Sequence, residues 1–333
     1  MIPSPAHGSV SVVARSPGLD PQRVEVVVTV PTFRRPQQIL ETLASLKAQR
    51  TARHFAVITI ENDAENGEGA AAAKPLFEQG EVGGLLIVAH ERGNCSAYNA
   101  GWQTALLQFP SFTHLLVIDD DETADPDWLE NMCRAAETLP ADIVGGPQRP
   151  QFGDARLQQQ WEHHPVFAPP YAASGPVRAL YSSGNLLLTR NVLARMGPPF
   201  LDLRFNFLGG GDSDFLSRSA AAGFRLGWCA EGIAYELVPA RRTERDWIRA
   251  RSIRNGVIST LVELKKRKEE PLGELKTFLK SVALLAVSPW RGLKLFAATG
   301  SLANAIHPVH VGLGRIMAHF GYAREQYREA DKN

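Results

Sequence analysis

The chain has 333 residues, 44% of them hydrophobic, and its acidic and basic side chains nearly cancel to a net charge of +1. This size supports one large domain or two smaller ones, and the balanced charge gives no indication of a nucleic-acid partner. Three distant cysteines without a CxxC pattern argue against a disulfide scaffold or a zinc site, and they suit a reducing cytoplasm. No stretch has the pattern of a signal peptide or of a conventional transmembrane helix.

Residues 1–22 are predicted to form a flexible N-terminal tail, and strands and helices follow it. Continuous apolar runs predict strands that are buried on both faces, at 24–30, 55–63, 84–91 and 114–121. Helical spacing of apolar residues predicts helices at 35–49, 96–108 and 126–139. The order of these elements predicts an α/β fold with a mostly parallel, Rossmann-like sheet flanked by helices.

Each of the four predicted strands ends in a polar cluster, the last of which is Asp119-Asp120-Asp121-Glu122. In open α/β sheets, ligands bind outside the carboxyl ends of the strands. Alternate side chains of an extended segment point the same way, so Asp119 and Asp121 share one face. Two such carboxylates can hold Mg²⁺ or Mn²⁺ together with substrate phosphates. The alternative, an acidic helix N-terminus, fits Asp125 and Glu122 better than it fits Asp119.

The last sixty residues contain two apolar helical segments, 272–287 and 291–306, separated by "SPW". Both carry Lys or Arg among the apolar residues, and the segment from Arg241 to Lys268 that precedes them is locally basic. Two interpretations stay open. The segments form either an ordinary helical cap or an interfacial membrane hairpin next to a basic rim.

Five motifs give the chain a family resemblance: "VPTFRRP", "ENDAENG", "ERGNCSAYNAG", "IDDDE-x5-WL" and "GGGDSDF". In this order they resemble the motifs of family 2 glycosyltransferases of the GT-A fold, in particular bacterial exopolysaccharide glucosyltransferases of the succinoglycan type. The resemblance covers residues 24–256. It implies a nucleotide-sugar donor, a divalent metal and inversion at the anomeric carbon.

The resemblance also implies roles for individual residues of this chain. Asp119 contacts the ribose and the metal, Asp121 is the direct metal ligand, and Asp120 belongs to the same donor site. Asn99 and Arg92 lie near the ribose or the diphosphate, and Asn185 is a weaker candidate near the donor sugar or acceptor. The residues that border the nucleotide base are Pro31, Thr32, Arg34, Glu61 and Asp63.

The catalytic base of the family is the aspartate of a Glu-Asp pair in a "GGED" turn. This chain has "GGGD" there, so Gly211 replaces the glutamate and Asp212 keeps the aspartate. Asp212 is the favoured base and Asp214 the alternative. Asp212 is also expected to be the N-cap of a helix that starts near Ser213.

Cations for the leaving diphosphate are expected from an arginine-rich segment at 241–256. Arg242, Arg245 and Arg249 can share one helical face by their i+3 and i+4 spacing, and the alternative is a solvated basic helix near anionic lipid. Glu236 is placed on the metal side. Three tryptophans are candidates for stacking on sugar rings, namely Trp128, Trp161 and Trp228.

These observations together predict an inverting, metal-dependent glycosyltransferase that uses a UDP-sugar and a glycan or lipid-linked acceptor in bacterial polysaccharide or glycolipid synthesis. It is expected in the cytoplasm or on the inner-membrane surface. The GT-A domain is predicted at 23–256, with a nucleotide half at 23–125 and an acceptor half at 126–256, and a helical extension at 257–333. The alternatives are a sugar nucleotidyltransferase and a non-catalytic nucleotide-sugar-binding subunit.

Overall fold

The computed structural model describes residues 9–322, and the chain divides into two compact units. The first unit contains the residues up to Gln148 together with Tyr171–Glu236. The second contains Arg149–Pro170 and, among the described residues, those from Leu237 to Tyr322.

Strands and helices alternate through the first half of the chain, and helices dominate its last third. The strands are β1 (Val10–Arg15), β2 (Val26–Thr32), β3 (Phe55–Glu61), β4 (Gly84–Ala89), β5 (His114–Ile118), β6 (Glu122–Ala124), β7 (Ile143–Gly145), β8 (Gln148–Phe152), β9 (Gly175–Val177), β10 (Asn185–Thr189), β11 (Leu226–Trp228) and β12 (Ala234–Val238). The α-helices are α1 (Pro36–Lys47), α2 (Glu68–Glu78), α3 (Asn94–Gln108), α4 (Trp128–Thr138), α5 (Ala155–Trp161), α6 (Arg190–Met196), α7 (Gly211–Ala221), α8 (Arg245–Lys266), α9 (Gly273–Thr299) and α10 (Leu302–His319). Short 3₁₀ helices occur at Leu203–Phe205 and Ala240–Thr243.

The central sheet has the strand order β1-β4-β3-β2-β5-β10-β7-β11-β9, and a small sheet has the order β6-β12-β8. Strands β2, β3, β4 and β5 pair in parallel, whereas β10 runs antiparallel to both β5 and β7. Strand β2 is almost wholly buried because its Val-rich sequence faces packed layers on both sides. The predicted α/β architecture is confirmed. Parallel pairing joins β2 to β5 and also β7 to β11, and the central sheet as a whole is mixed rather than mostly parallel.

Two elements of the first unit differ from the sequence-based prediction. The predicted flexible tail contains strand β1, which pairs antiparallel with β4, so the prediction is wrong for residues 10–15. The start of the tail, residues 1–8, lies outside the described residues. Helix α2 between β3 and β4 was not predicted, because Pro75 and flanking glycines interrupt the helical pattern of an alanine-rich segment.

The second unit is dominated by α8, α9 and α10. Helix α9 continues through the "SPW" segment, so the prediction of two separate segments is wrong. Pro289 cannot donate a backbone hydrogen bond to Leu285, but the Ser288 hydroxyl donates to the Leu285 carbonyl at 2.7 Å instead. Within residues 9–322, no helix combines the length and the apolar character needed to cross a membrane.

The predicted domain boundary at residue 256 also differs from the structure. Helix α8 runs without interruption from Arg245 to Lys266, and the second unit already begins at Leu237. The segment Arg149–Pro170, predicted within the acceptor half, belongs to the second unit as well. Residue 256 lies in the middle of α8, and the whole of this helix belongs to the second unit. The boundary predicted from the last motif therefore does not match the division of the structure.

Glycines bring the helices of the second unit into backbone contact. A Cβ on Gly314 of α10 would collide with the Ile253 carbonyl oxygen of α8, and one on Gly256 of α8 would collide with the Val311 carbonyl oxygen. Backbone atoms cannot move aside as a flexible side chain does. The close approach of α8 and α10 therefore requires the absence of side chains at these two positions.

We expect the substitution Gly314→Ala to lower the free energy of unfolding by about 1–3 kcal/mol, because the added methyl group overpacks a backbone contact. Gly153→Ala is the matched control in the same unit, since no atom lies within 4 Å of a Cβ there. The control should change stability by less than about 0.5 kcal/mol. Equal melting temperatures for the two variants would contradict this account.

Two histidines of the second unit are kept neutral by their surroundings. The rings of His164 and His307 lie 5.3 Å apart, and the Ser252 hydroxyl contacts Nδ1 of His307 at 2.9 Å. Burial lowers the pKa of each to about 4, and the His307 charge acts in the same direction on His164. His310 lies nearby and is itself influenced by Arg249.

Because these pKa values lie below the ordinary value of about 6.5, the unfolded chain takes up protons first as the pH falls. The contribution of the two histidines to stability is complete above pH 6.5 and is lost as the pH falls toward 4. We expect His307→Gln to flatten the decline in unfolding free energy between pH 7 and pH 5, measured by chemical denaturation. His163→Gln, at a side chain that is 77% exposed, should leave the slope unchanged.

Candidate functional site

The carboxylate cluster predicted at the end of β5 is held by specific partners. Asp120 is buried, with 5% exposure, and it accepts hydrogen bonds from Thr32 Oγ1 at 2.8 Å and Arg35 Nη1 at 2.7 Å. The same Nη1 atom lies 2.9 Å from an oxygen of Asp121. Burial opposes the charge of Arg35, but Asp120 and Asp121 raise its pKa above the ordinary value. Arg35 thus supplies part of the positive charge that the cluster requires.

Asp119 follows β5 directly and is half-buried. The Tyr98 hydroxyl of α3 donates a 2.5 Å hydrogen bond to Asp119 Oδ1. Burial and the neighbouring charge of Asp121 nevertheless raise the pKa of Asp119 to about 7. The charge of Asp120 acts on Asp119 in the same direction, and the hydrogen bond from Tyr98 opposes both.

Glu122 and Glu236 stand opposite each other in the antiparallel pairing of β6 and β12. Glu122 is 1% exposed and accepts hydrogen bonds from the Gln148 amide and from the Asp119 backbone N–H. Burial raises its pKa, and the charges of Asp119, Asp121 and Glu236 raise it further. Gly184 approaches this group so closely that a Cβ there would lie 2.8 Å from Asp119 Oδ2. The cluster is enclosed and has an excess of negative charge.

A second pair of acids follows β3, beside the end of β2. Asp63 accepts a 2.6 Å hydrogen bond from Arg34 Nε and one of 2.9 Å from the Asn66 amide. Burial opposes ionisation of Asp63, but Arg34 and Asn66 together hold its pKa below the ordinary value. Glu61 is fully buried and accepts the backbone N–H groups of Asp63 and Ala70, and burial raises its pKa.

The ring of Phe33 lies between two guanidinium groups. Those of Arg34 and Arg92 lie 5.0 and 4.9 Å from its centroid. Pro31 and Thr32 end β2 immediately before it, and Thr32 is bound to Asp120. The residues predicted to border a nucleotide base at the ends of β2 and β3 therefore form one connected surface with Arg92.

Asn99 and Asn185 are buried, and their amides are engaged within the protein. Asn99 bonds both the N–H and the carbonyl of Leu201 at 2.8 Å. Asn185 accepts from the Trp128 indole at 2.9 Å and donates to the carbonyls of Pro147 and Gly232. Their contact with a donor stays a prediction, and the structure gives both residues a scaffold role.

The "GGGD" turn opens helix α7. The helix begins at Gly211 and Gly210 is its N-cap, so the prediction of Asp212 as N-cap is wrong by two residues. Asp212 is half-buried. Burial, and to a smaller extent the charges of Asp119 and Asp212, raise the pKa of the Tyr98 hydroxyl. Asp214 is 2% exposed and pairs with Arg218 Nε at 2.8 Å. Of the two candidate bases, Asp212 is the one more open to a substrate.

Gly211 packs against Cys95 at the start of α3. A Cβ at position 211 would collide with the Cys95 sulfur atom. Burial raises the pKa of this thiol, and the charges of Asp212, Asp202 and Asp214 add to the effect. The glycine that departs from the "GGED" pattern therefore accommodates a neutral thiol.

The predicted arginine-rich face does not form a single helix. Arg242 lies in the 3₁₀ helix Ala240–Thr243, and the extended backbone of Glu244 separates it from α8, which carries Arg245 and Arg249. The prediction of one shared helical face is therefore wrong. The three tryptophans proposed to stack on sugar rings are core residues with at most 4% exposure: Trp128, Trp161 and Trp228.

Three contributors to the acidic cluster were missed by the sequence reasoning, namely Arg35, Tyr98 and Gln148. Arg35 lies inside the "VPTFRRP" motif, and Tyr98 lies inside the "ERGNCSAYNAG" motif. Their polar side chains at the site's own motifs were the available signal. The sequence around Gln148 contained no such signal, because the role of Gln148 arises from the pairing of strands that are distant in the sequence.

The oxygen donors fit a hard divalent cation. In the described part of the chain, no three His, Cys, Asp or Glu side chains are arranged as a ready metal site. Asp119 and Asp121 supply two carboxylates, and burial together with the charge of Asp121 raises the pKa of Asp119. An ion here would complete its coordination with water and donor phosphates, as Mg²⁺ commonly does.

Known proteins resemble this chain in sequence. The family model described as "Glycosyl transferase family 2" matches residues 27–197. The chain is 30% identical over 245 residues to the "Succinoglycan biosynthesis protein ExoM" of Rhizobium meliloti (strain 1021), covering 71% of this chain and 74% of that protein.

Solved structures share the fold at low identity. Mannosyltransferase PcManGT from Pyrobaculum calidifontis, in complex with GDP-Man and Mn²⁺, matches with a TM-score of 0.57 and 18% identity over 89% of this chain and 88% of its own. S. aureus TarS matches with a TM-score of 0.50 and 13% identity over 92% of this chain and 56% of its own. The fold is that of the GT-A glycosyltransferases, and the chain belongs to glycosyltransferase family 2.

Proposed function

We propose that this glycosyltransferase moves a sugar from a nucleotide-sugar donor, a UDP-sugar, to a hydroxyl of a glycan or lipid-linked acceptor, with inversion and with the help of a divalent metal. The reaction would serve bacterial polysaccharide or glycolipid synthesis at the cytoplasmic face of the membrane. The observation that carries the proposal is the group of acids at the carboxyl end of β5, where Tyr98 donates to Asp119 and Arg35 pairs with Asp120 and Asp121. Family membership favours glycosyl transfer over a nucleotidyltransferase or a non-catalytic subunit.

The donor would lie across the carboxyl ends of β2, β3 and β5. Its base would contact the surface formed by Phe33, Arg34 and Asp63, where the Arg34–Asp63 ion pair fixes the polar groups in place. Its ribose and diphosphate would extend toward Asp119 and Asp121. This placement follows the general rule that ligands of open α/β sheets bind at the strand ends.

A divalent ion held by Asp119 and Asp121 would supply positive charge to the leaving diphosphate. Arg35 keeps Asp120 and Asp121 oriented, and Tyr98 fixes one oxygen of Asp119. Each carboxylate thus keeps a defined position although the carboxylates of the cluster repel one another. Such preorganised charge is the main source of transition-state stabilisation in reactions of this type.

Asp212 would act as the general base. The acceptor oxygen forms a bond to the anomeric carbon while the bond from that carbon to the diphosphate breaks, and the hydroxyl proton passes to the Asp212 carboxylate. One displacement inverts the configuration. Asp214 is the weaker candidate because Arg218 engages its buried carboxylate.

We expect Asp212→Asn to reduce kcat about 10²–10⁴-fold and to leave donor binding unchanged, since only the proton acceptor is removed. Donor binding is measured by thermal shift with UDP-, GDP- and dTDP-sugars, with and without Mn²⁺. Asp214→Asn should instead lower the melting temperature, because Arg218 loses a buried partner. Full turnover in Asp212→Asn would contradict the assignment of Asp212 as the general base. Donor binding that is equally strong with and without Mn²⁺ would contradict the metal requirement.

Removal of Arg35 tests the charge balance of the cluster. We expect Arg35→Met to lower the free energy of unfolding by about 1–3 kcal/mol, because the buried Asp120 loses its cation while Arg35 itself is one quarter exposed. Added Mn²⁺ should raise the melting temperature of this variant more than that of the wild type. Arg50→Met, at the exposed pair with Asp127, is the control and should change stability by less than about 1 kcal/mol.

A further inference from the structure

Helix α9 has an inverted distribution of side chains. Its buried positions are small or polar: Gly273, Thr277, Ser281, Ser288 and Gly292. Its exposed positions include most of its large apolar residues: Leu275, Leu279, Val282, Val287, Trp290, Leu293 and Phe296. A helix on the surface of a protein in water normally shows the opposite pattern, with the apolar stripe toward the core.

The exposure of this apolar face is substantial. Leu279 is 57% exposed, Trp290 59% and Leu293 57%, with all described residues in place. The other five tryptophans of the chain are buried or half-buried. A contiguous apolar surface of this kind marks a site of contact with another molecule or with a membrane.

The opposite face of α9 packs through small residues. A Cβ on Gly292 would collide with the Ala305 carbonyl oxygen of α10, and one on Gly312 would lie 2.9 Å from Leu285. Ser281 contacts His319 of α10 at 3.2 Å. Close contact through glycine and serine keeps the helices together without large apolar side chains, as in helix pairs within lipid. The large apolar side chains of α9 are therefore not needed for this contact and lie on its exposed face.

The charges on α9 indicate which partner this face suits. The helix carries four basic side chains, Lys276, Lys280, Arg291 and Lys294, and one acidic side chain, Glu274. The Lys294 ammonium lies 5.5 Å from the centre of the Trp290 ring. Lys276 and Lys280 pair with Glu270 and Glu263 at 3.7 and 2.9 Å. Arg291 and Lys294 lie beside the exposed leucines and the tryptophan, and basic groups in this setting match the anionic headgroups and acyl boundary of a membrane. The same charges would repel one another across a contact between two copies.

We propose that the exposed face of α9 is a lipid-contacting surface that lies in the headgroup region of an anionic membrane. Its apolar side chains would insert between the lipids, while the small-residue face stays packed on α10. The proposal assigns to one helix the membrane association included in the proposed function. It does not depend on the catalytic assignment, because lipid binding is measured without donor or acceptor.

The test is sedimentation of the full-length chain with vesicles of phosphatidylcholine, with or without phosphatidylglycerol. The wild type should bind the anionic vesicles, and the double variant Leu279→Glu/Leu293→Glu should bind them at least about tenfold more weakly. Leu107→Glu is the matched control, since Leu107 is 48% exposed on α3 of the other unit. Thermal unfolding verifies that each variant is folded.

A second measurement locates the contact through the fluorescence of Trp290, with unfolding of the variant checked in the same way. Brominated lipid should quench part of the wild-type tryptophan emission, and Trp290→Phe should remove that quenching. Equal sedimentation of the wild type and the folded double variant would overturn the proposal. So would quenching that persists in Trp290→Phe, or a lipid-free dimer that the double variant dissociates.

Discussion

Four consecutive carboxylates follow strand β5 and repel one another. This repulsion is the constraint on which the arrangement of the surrounding side chains depends, because they must compensate it. Low polarisability around buried charges strengthens such repulsion. The structure assigns a different partner to each of three acids: Arg35 to Asp120, Tyr98 to Asp119, and an amide to Glu122. The pKa of Asp119 still lies near 7, so the compensation is incomplete. A site built in this way gains stability when a cation enters it.

The parallel strands were predictable because burial on both faces leaves an unmistakable pattern. Strands β2 to β5 are continuous apolar runs, and their polar ends fall at one edge of the sheet by topology alone. Helix α2 was hidden by Pro75, and strand β1 by its exposed alternate side chains. Both α2 and β1 depend on packing or pairing with elements that are distant in the sequence, and a local sequence pattern does not contain this information.

The acidic residues of the candidate site could be predicted from the sequence, but the side chains that form hydrogen bonds with them could not. Asp119, Asp121 and Asp212 could be recognised from motif order, whereas Gln148 reaches Glu122 only through the folded sheet. Asn99 illustrates a structural role for a motif residue. Its amide joins α3 to the backbone at Leu201, so a residue within a functional motif can serve the position of other residues.

The contact between Gly211 and Cys95 couples two motifs that lie far apart in the sequence. Restoring the glutamate of the "GGED" pattern at position 211 requires room that the Cys95 sulfur now occupies. A glutamate introduced alone would displace the first turn of α3 or of α7, and with it Tyr98 or Asp212. A larger residue at position 211 therefore requires either a smaller residue at position 95 or a shift of one of the two helices.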